Sequence, residues 1–193
     1  MAGHARYTAL LDACVLYRVA VADALMSLAA TGLFAAKWTT RIESEWIASL
    51  ERDRPDLQGR LDKRRDDMRA AAFDWEVAES AWRDVQLHTD LPDPDDAHVM
   101  AAAIAGHADC IVTDNARDFP PAVLAPFGIT VIHPDDFIVQ QIDLNPIVAL
   151  GAFKAMRARW HRPQASAVDF ARALERNGLA ATAQRLAEAA DLI

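Results

Sequence analysis

The sequence predicts an α/β fold in which a parallel sheet is linked by crossover helices and followed by a helical C-terminal segment. Three observations carry this reading. Short apolar runs at residues 7–11, 110–113 and 129–132 alternate with stretches of helical periodicity. Acidic residues stand directly behind the first two runs, and from Asn145 onward every patterned stretch is helical.

Taken in order, residues 7–11 read as a buried strand closed by Asp12. Apolar residues recur at helical spacing over 16–30, and Thr31-Gly32 ends that helix. Residues 33–38 suit an extended segment. Thr39 is placed to cap a helix running through Leu50, whose Ile42, Trp46, Ile47 and Leu50 form one apolar stripe. Pro55 breaks the chain. Residues 57–73 read as a helix dense in charges of both signs, a solvated face with opposite-charge pairs, and 77–85 as a short helical segment. Asp93-Pro94-Asp95-Asp96 then opens a helix to about Ala105. Asp93 caps it, Pro94 suits the first helical position, and the further acids suit the positive end of the helix dipole. After the strands at 110–113 and 129–132 come helices over 146–160, 168–176 and 179–192, punctuated by Pro163 and Gly178. The organisation expected is one α/β domain at 1–144 and a helical segment at 145–193.

The 193 residues, 52% hydrophobic and 25% charged, suit one globular domain with a modest appendage and argue against disorder. The longest weakly polar stretch, 19–36, is interrupted by Asp23 and suits a buried helix and turn rather than a membrane span. With no export signal recognisable, Cys14 and Cys110 are expected to be free thiols and the protein cytoplasmic. The net charge of −8 is uneven: residues 1–144 hold 13 Lys and Arg against 24 Asp and Glu, whereas 145–193 hold 7 against 4. An acidic body with a mildly basic tail does not suit a duplex-DNA binder; it suits a site that concentrates carboxylates to hold cations.

In open parallel α/β sheets, functional groups gather just past the carboxyl ends of strands. Asp12 ends the first strand, Asp114 and Asp118 follow the second, Asp96 lies in the first turn of the preceding helix, and Glu45 lies mid-helix with Glu43 as its rival. Two ionised carboxylates ~4 Å apart repel by about 4 kcal/mol at an effective dielectric near 20, so a converging set needs a cation or protons. All-oxygen ligation favours Mg²⁺ or Mn²⁺ over zinc. Such ions acidify a bound water and steady charge developing on a phosphate, which points to metal-assisted phosphodiester hydrolysis.

Four stretches carry a resemblance: Leu-Leu-Asp-Ala-Cys-Val-Leu-Tyr at 10–17, Trp-Thr-Thr-Arg-Ile-Glu-Ser-Glu-Trp at 38–46, Asp-Pro-Asp-Asp-Ala-His-Val-Met-Ala-Ala-Ala at 93–103, and Ile-Val-Thr-Asp-Asn-Ala-Arg-Asp-Phe at 111–119. Together they resemble the PIN-domain family, and within it the toxins of the virulence-associated protein C (VapC) type. The resemblance implies a three-layer α/β/α sandwich with a central parallel sheet, plus the C-terminal helical segment. It implies an endoribonuclease using Mg²⁺ or Mn²⁺, with RNA as substrate, a cognate antitoxin protein as inhibiting partner, and a homodimer. Carried over by motif, Asp12, Glu45 and Asp96 hold metal, and Thr113 orients Asp12 or the metal's water. The family's fourth acid commonly stands two residues after that threonine, where this chain has Asn115. Asn115 offers a neutral oxygen, and Asp118 or Asp114 makes up the charge, with Asp118 preferred.

That departure keeps open an inactive PIN-like domain that binds RNA or protein without cutting. A phosphotransfer reading with Asp12 as nucleophile lacks its second acid, since Ala13-Cys14 follow. The six histidines show no metal-ligand spacing, and no glycine-rich phosphate loop or serine elbow occurs. Lys154, Arg157, Arg159 and Arg162 form an acid-free basic stretch that is either a phosphate contact for RNA or an exposed helix face; Trp160 within it is read as packing.

Overall fold

The computed structural model describes residues 7–85, 91–160 and 165–193. Four short strands, β1 (Thr8–Leu11), β2 (Ala35–Lys37), β3 (Cys110–Val112) and β4 (Thr130–Ile132), form one sheet in the order β2-β1-β3-β4, every pair parallel. The expected α/β/α sandwich is therefore present. Around the sheet the chain forms α1 (Ala13–Tyr17), α2 (Val19–Ala29), α3 (Thr40–Asp53), α4 (Asp62–Ala71), α5 (Glu79–Trp82), α6 (Ala97–Ala105), α7 (Pro121–Leu124), α8 (Pro134–Leu144), α9 (Pro146–Ala158), α10 (Ala167–Arg176) and α11 (Ala180–Glu188). The crossover from β1 to β2 runs one way along the sheet and that from β2 to β3 the other. Right-handed crossovers therefore place α2 on one face and α6 on the opposite one. α8 and α9 pack beside α2, while α6 lies against β1 and β3.

The strands are short, fully apolar and buried from Ala9 to Leu11 and from Cys110 to Val112, as a sheet covered on both faces requires. Phe34 and Phe137 meet edge to face at 4.8 Å beneath one layer, and Trp38 stacks on Trp75 at 4.9 Å at the other edge. Trp75 and Val77 also bond the Trp38 backbone, extending the β2 edge.

The structure corrects several boundaries. The helix expected over 16–30 is two, because Arg18 is extended (φ −79°, ψ 113°) and separates α1 from α2. The freed carbonyls of Leu16 and Tyr17 accept from the Arg64 guanidinium, which lies 4.6 Å over the Trp46 ring. Burial pushes Arg64 down to about 10. The helix expected over 57–73 starts only at Asp62, since Gly59 takes φ +67° after a 3₁₀ turn at Pro55–Leu57. α8 was not expected at all. It opens at Pro134 behind His133, whose Nδ1 accepts from the Asp135 backbone N–H at 3.3 Å. Cys14 and Cys110 are both free thiols. Among the described residues no helix is long and apolar enough to cross a membrane.

Candidate active site

Strand order reverses about β1, which has β2 on one side and β3 on the other, so the crevice beyond the carboxyl ends of β1 and β3 is the topological switch point. Register places Leu11 opposite Val112, and the next residues, Asp12 and Thr113, therefore emerge side by side. Asp12 Oδ1 caps α1 through the Ala13 backbone N–H at 2.6 Å. Its Oδ2 accepts from the Thr113 hydroxyl at 2.7 Å and from the Cys14 thiol at 3.1 Å. Asp12 is 6% exposed and Thr113 fully buried, so these bonds fix the carboxylate's direction.

Asp96 arrives from the 3₁₀ turn at Pro94–Asp96, which Asp93 caps through the Asp95 backbone N–H at 2.9 Å. Its carboxyl is pushed up to about 6, first by burial and then by the negative charges of Asp12, Asp118 and Asp93. Residues 12 and 118, remote along the chain, thus both act electrostatically on Asp96. Asp118 is half-buried in the 3₁₀ turn Ala116–Asp118 that follows β3.

Glu45 is reached differently. Its carboxylate pairs with His98 Nε2 at 3.1 Å and with Arg41 Nε at 3.1 Å. Burial alone would raise its carboxyl, but the His98 and Arg41 contacts together hold it below the ordinary glutamate value. His98 Nδ1 faces the Asp95 carbonyl at 2.7 Å, a geometry satisfied when both ring nitrogens donate. The His98 ring also acts on Asp96, pulling its carboxyl down against the larger upward effects. Glu43, the rival, is buried and committed: Arg69 grips both its oxygens at 2.5 and 3.0 Å, and Trp38 Nε1 approaches at 3.4 Å.

Asp114 is likewise committed. Arg18 Nη2 bonds both its oxygens, at 2.6 and 2.5 Å, and His133 Nε2 lies at 3.2 Å. Asn115 contributes its backbone N–H to Thr113 Oγ1 at 3.0 Å, and is exposed. In the basic stretch, Lys154 is exposed, Arg157 donates to the Ala165 carbonyl at 3.0 Å, and Arg159 joins Asp23 and Ser27 at 2.5 and 2.8 Å. Arg162 lies outside the described residues. Trp160 packs edge-on against Phe170 at 4.9 Å.

Sequence reasoning missed His98, Cys14 and Arg18 as neighbours of the acids. Arg18 carried a signal: it is the only cation between residues 7 and 36, and a lone cation in an apolar run needs an anion or carbonyls. Among the described residues no three His, Cys, Asp or Glu side chains stand close enough to hold an ion in this arrangement. The donor set nevertheless fits a hard divalent cation. Asp12, Asp96 and Asp118 offer only carboxylate oxygens, and their mutual repulsion, visible at Asp96, is what such a cation relieves.

A family model described as PIN domain matches residues 8–117, and one described as VapC50 C-terminal domain matches residues 134–188. A stretch of 49 residues is 49% identical to a Mycobacterium tuberculosis (strain ATCC 25618 / H37Rv) protein named "Putative ribonuclease VapC50". That stretch spans 25% of this chain and 29% of that protein. No solved structure matches the chain significantly.

Proposed function

The chain belongs to the PIN-domain family, and on that premise we propose that it is a Mg²⁺- or Mn²⁺-dependent endoribonuclease, the toxin of a toxin–antitoxin pair. The metal reading is supported by Asp12, a buried carboxylate aimed by the Thr113 hydroxyl at 2.7 Å where β1 and β3 end, and by Asp96, whose carboxyl is raised to about 6 by burial and by the charges of Asp12 and Asp118. Asp12, Asp96 and Asp118 would hold the ion, with Glu45, linked through His98 to the helix that follows Asp96, as the fourth ligand. When bound, the cation neutralises the cluster and supplies Lewis acidity toward water and a phosphate oxygen. The chain's own residues do the rest. Thr113 and Cys14 aim Asp12, and His98 holds Glu45 ionised and limits the repulsion at Asp96. The substrate is RNA in the cytoplasm, and a small antitoxin protein that covers the acidic crevice would inhibit cleavage.

The test is a Mn²⁺ titration by calorimetry alongside cleavage of a mixed RNA pool. Asp12→Asn and Asp96→Asn should each weaken Mn²⁺ binding and cut the cleavage rate by about 10²-fold or more, with circular dichroism unchanged. Folded wild-type protein that binds RNA but neither Mn²⁺ nor cleaves it would overturn the enzyme reading in favour of a binding domain.

A further inference from the structure

Arg18 stands at the break between α1 and α2, and its guanidinium joins two segments remote in sequence. Nη2 bonds both oxygens of Asp114, at 2.6 and 2.5 Å, and Nη1 donates to the Asn177 carbonyl at 2.9 Å. Asn177 lies in the turn between α10 and α11. That turn packs closely on the guanidinium: Gly178, which ends α10 at φ +84° with its N–H on the Glu175 carbonyl, leaves room that a Cβ would narrow to 2.8 Å from Arg18 Nη1.

Asp114 in turn is wired to the acid that ends β1. It directly follows Thr113, whose hydroxyl bonds Asp12, and its backbone N–H approaches Cys14 Sγ at 3.4 Å while that thiol bonds the same carboxylate. A second anchor of the C-terminal helices ends at the same place. Buried Asp135 accepts from the Ala181 and Thr182 backbone N–H groups at 2.8 and 2.9 Å and from the Thr182 hydroxyl at 2.7 Å. Two residues before it, His133 Nε2 faces Asp114 Oδ1 at 3.2 Å. An ion pair that merely neutralised Asp114 would not need the contact with the Asn177 carbonyl.

We propose that Arg18 is a positioning residue that ties the α10–α11 turn to the loop 113–118, so that docking of the C-terminal helical pair sets the placement of the carboxylates. The metal-binding part rests on the nuclease reading above; the tether itself does not. Arg18 bonds Asp114 and the Asn177 carbonyl, not the carboxylates proposed for the ion. It fixes Asp114, Asp114 fixes the start of the loop, and the loop carries Asp118 past the crevice. Groups that orient ligands from behind typically change metal affinity without contacting the metal.

The test compares full-length Arg18→Ala, Arg18→Lys, Asp114→Asn and Gly178→Ala with the parent, by hydrogen–deuterium exchange and by Mn²⁺ calorimetry. Gly178→Ala perturbs the tether from the tail, far along the chain from Asp12, Asp96 and Asp118. In Arg18→Ala and Gly178→Ala, exchange over 113–118 should rise and Mn²⁺ affinity fall, each about tenfold, with smaller effects in Arg18→Lys and Asp114→Asn. RNA cleavage should lose kcat while KM stays within about twofold. The tether is overturned if folded Gly178→Ala raises exchange only in its own hairpin, or if Arg18→Ala lowers the melting temperature yet leaves both loop exchange and Mn²⁺ affinity unchanged. Should Gly178→Ala fail to fold, an unchanged loop in the two conservative variants overturns it equally. Wild-type protein that binds no Mn²⁺ would sink the metal reading, while exchange over 113–118 still decides the tether.

Discussion

Two glutamates two residues apart on α3 show how environment assigns roles. Glu43 is 6% exposed and gripped by Arg69, whereas Glu45 is half-exposed beside His98. We expect Glu43→Ala to destabilise the protein by about 3 kcal/mol, because it strands the Arg69 guanidinium against Trp75. Glu45→Gln should shift the urea midpoint little and weaken Mn²⁺ binding instead. Urea unfolding and calorimetry on both variants separate the two. Asp96 carries a pH signature of opposite sign to the usual paired carboxylate. Its folded value, about 6, lies above the ordinary 3.8, so folding retains a proton that the unfolded chain releases between those limits. The resulting stability is present below the lower limit and lost as pH rises through the upper one. Metal-free Asp96→Asn should therefore be more stable than the parent at pH 8 by about 1 kcal/mol, allowing for solvent screening of a half-exposed group. That is roughly 2–4 °C in Tm at this chain length, and the advantage should vanish near pH 4. Added Mn²⁺ should reverse it, since the parent gains more binding energy than the variant. The sequence singled out Asp12, Glu45, Asp96 and Asp118 by order and motif. It gave no view of His98, whose value lies in two contacts made 3 and 53 residues away.

Elements whose ends are written in local chemistry were legible. Thr39 caps α3 through the Ile42 backbone N–H at 3.0 Å, as its place before an apolar stripe implied. Asp93-Pro94 opened the turn into α6 for the same kind of reason. The break at Arg18 was not legible, because nothing local stops a helix there; the stop is made by Asp114, Asn177 and Arg64. α8 was missed because its polar Asp135, Asp136 and Gln141 interrupt the apolar pattern, and two of the three are buried. Asp135 is buried because it serves another element, closing the N-terminus of α11 with three bonds. Asp135→Ala should cost about 3 kcal/mol and release α11 first, seen as loss of exchange protection over 180–188 before the rest of the chain.

At the scale of the whole molecule, the parallel sheet and its layers followed from the alternation of apolar runs and helical stretches, since a strand covered on both faces has little choice of neighbours. How firmly the C-terminal helices join that body was hidden, because the join is made by buried Ala149, Ala152, Phe153 and Met156 of α9 and by single polar anchors. We expect one cooperative unfolding transition, with calorimetric and van't Hoff enthalpies equal. Residues 1–144 alone should bind a hydrophobic dye, the face of α2 beneath α9 being uncovered.

The hydrogen bond between Thr113 and Asp12 closes a loop of 101 residues. During synthesis the first acid leaves the ribosome long before the strand that will aim it, and the threonine cannot find its partner until β3 has threaded in beside β1. A nascent chain therefore carries Asp12 and Thr113 apart, and the crevice comes into being only once both strands have emerged and paired.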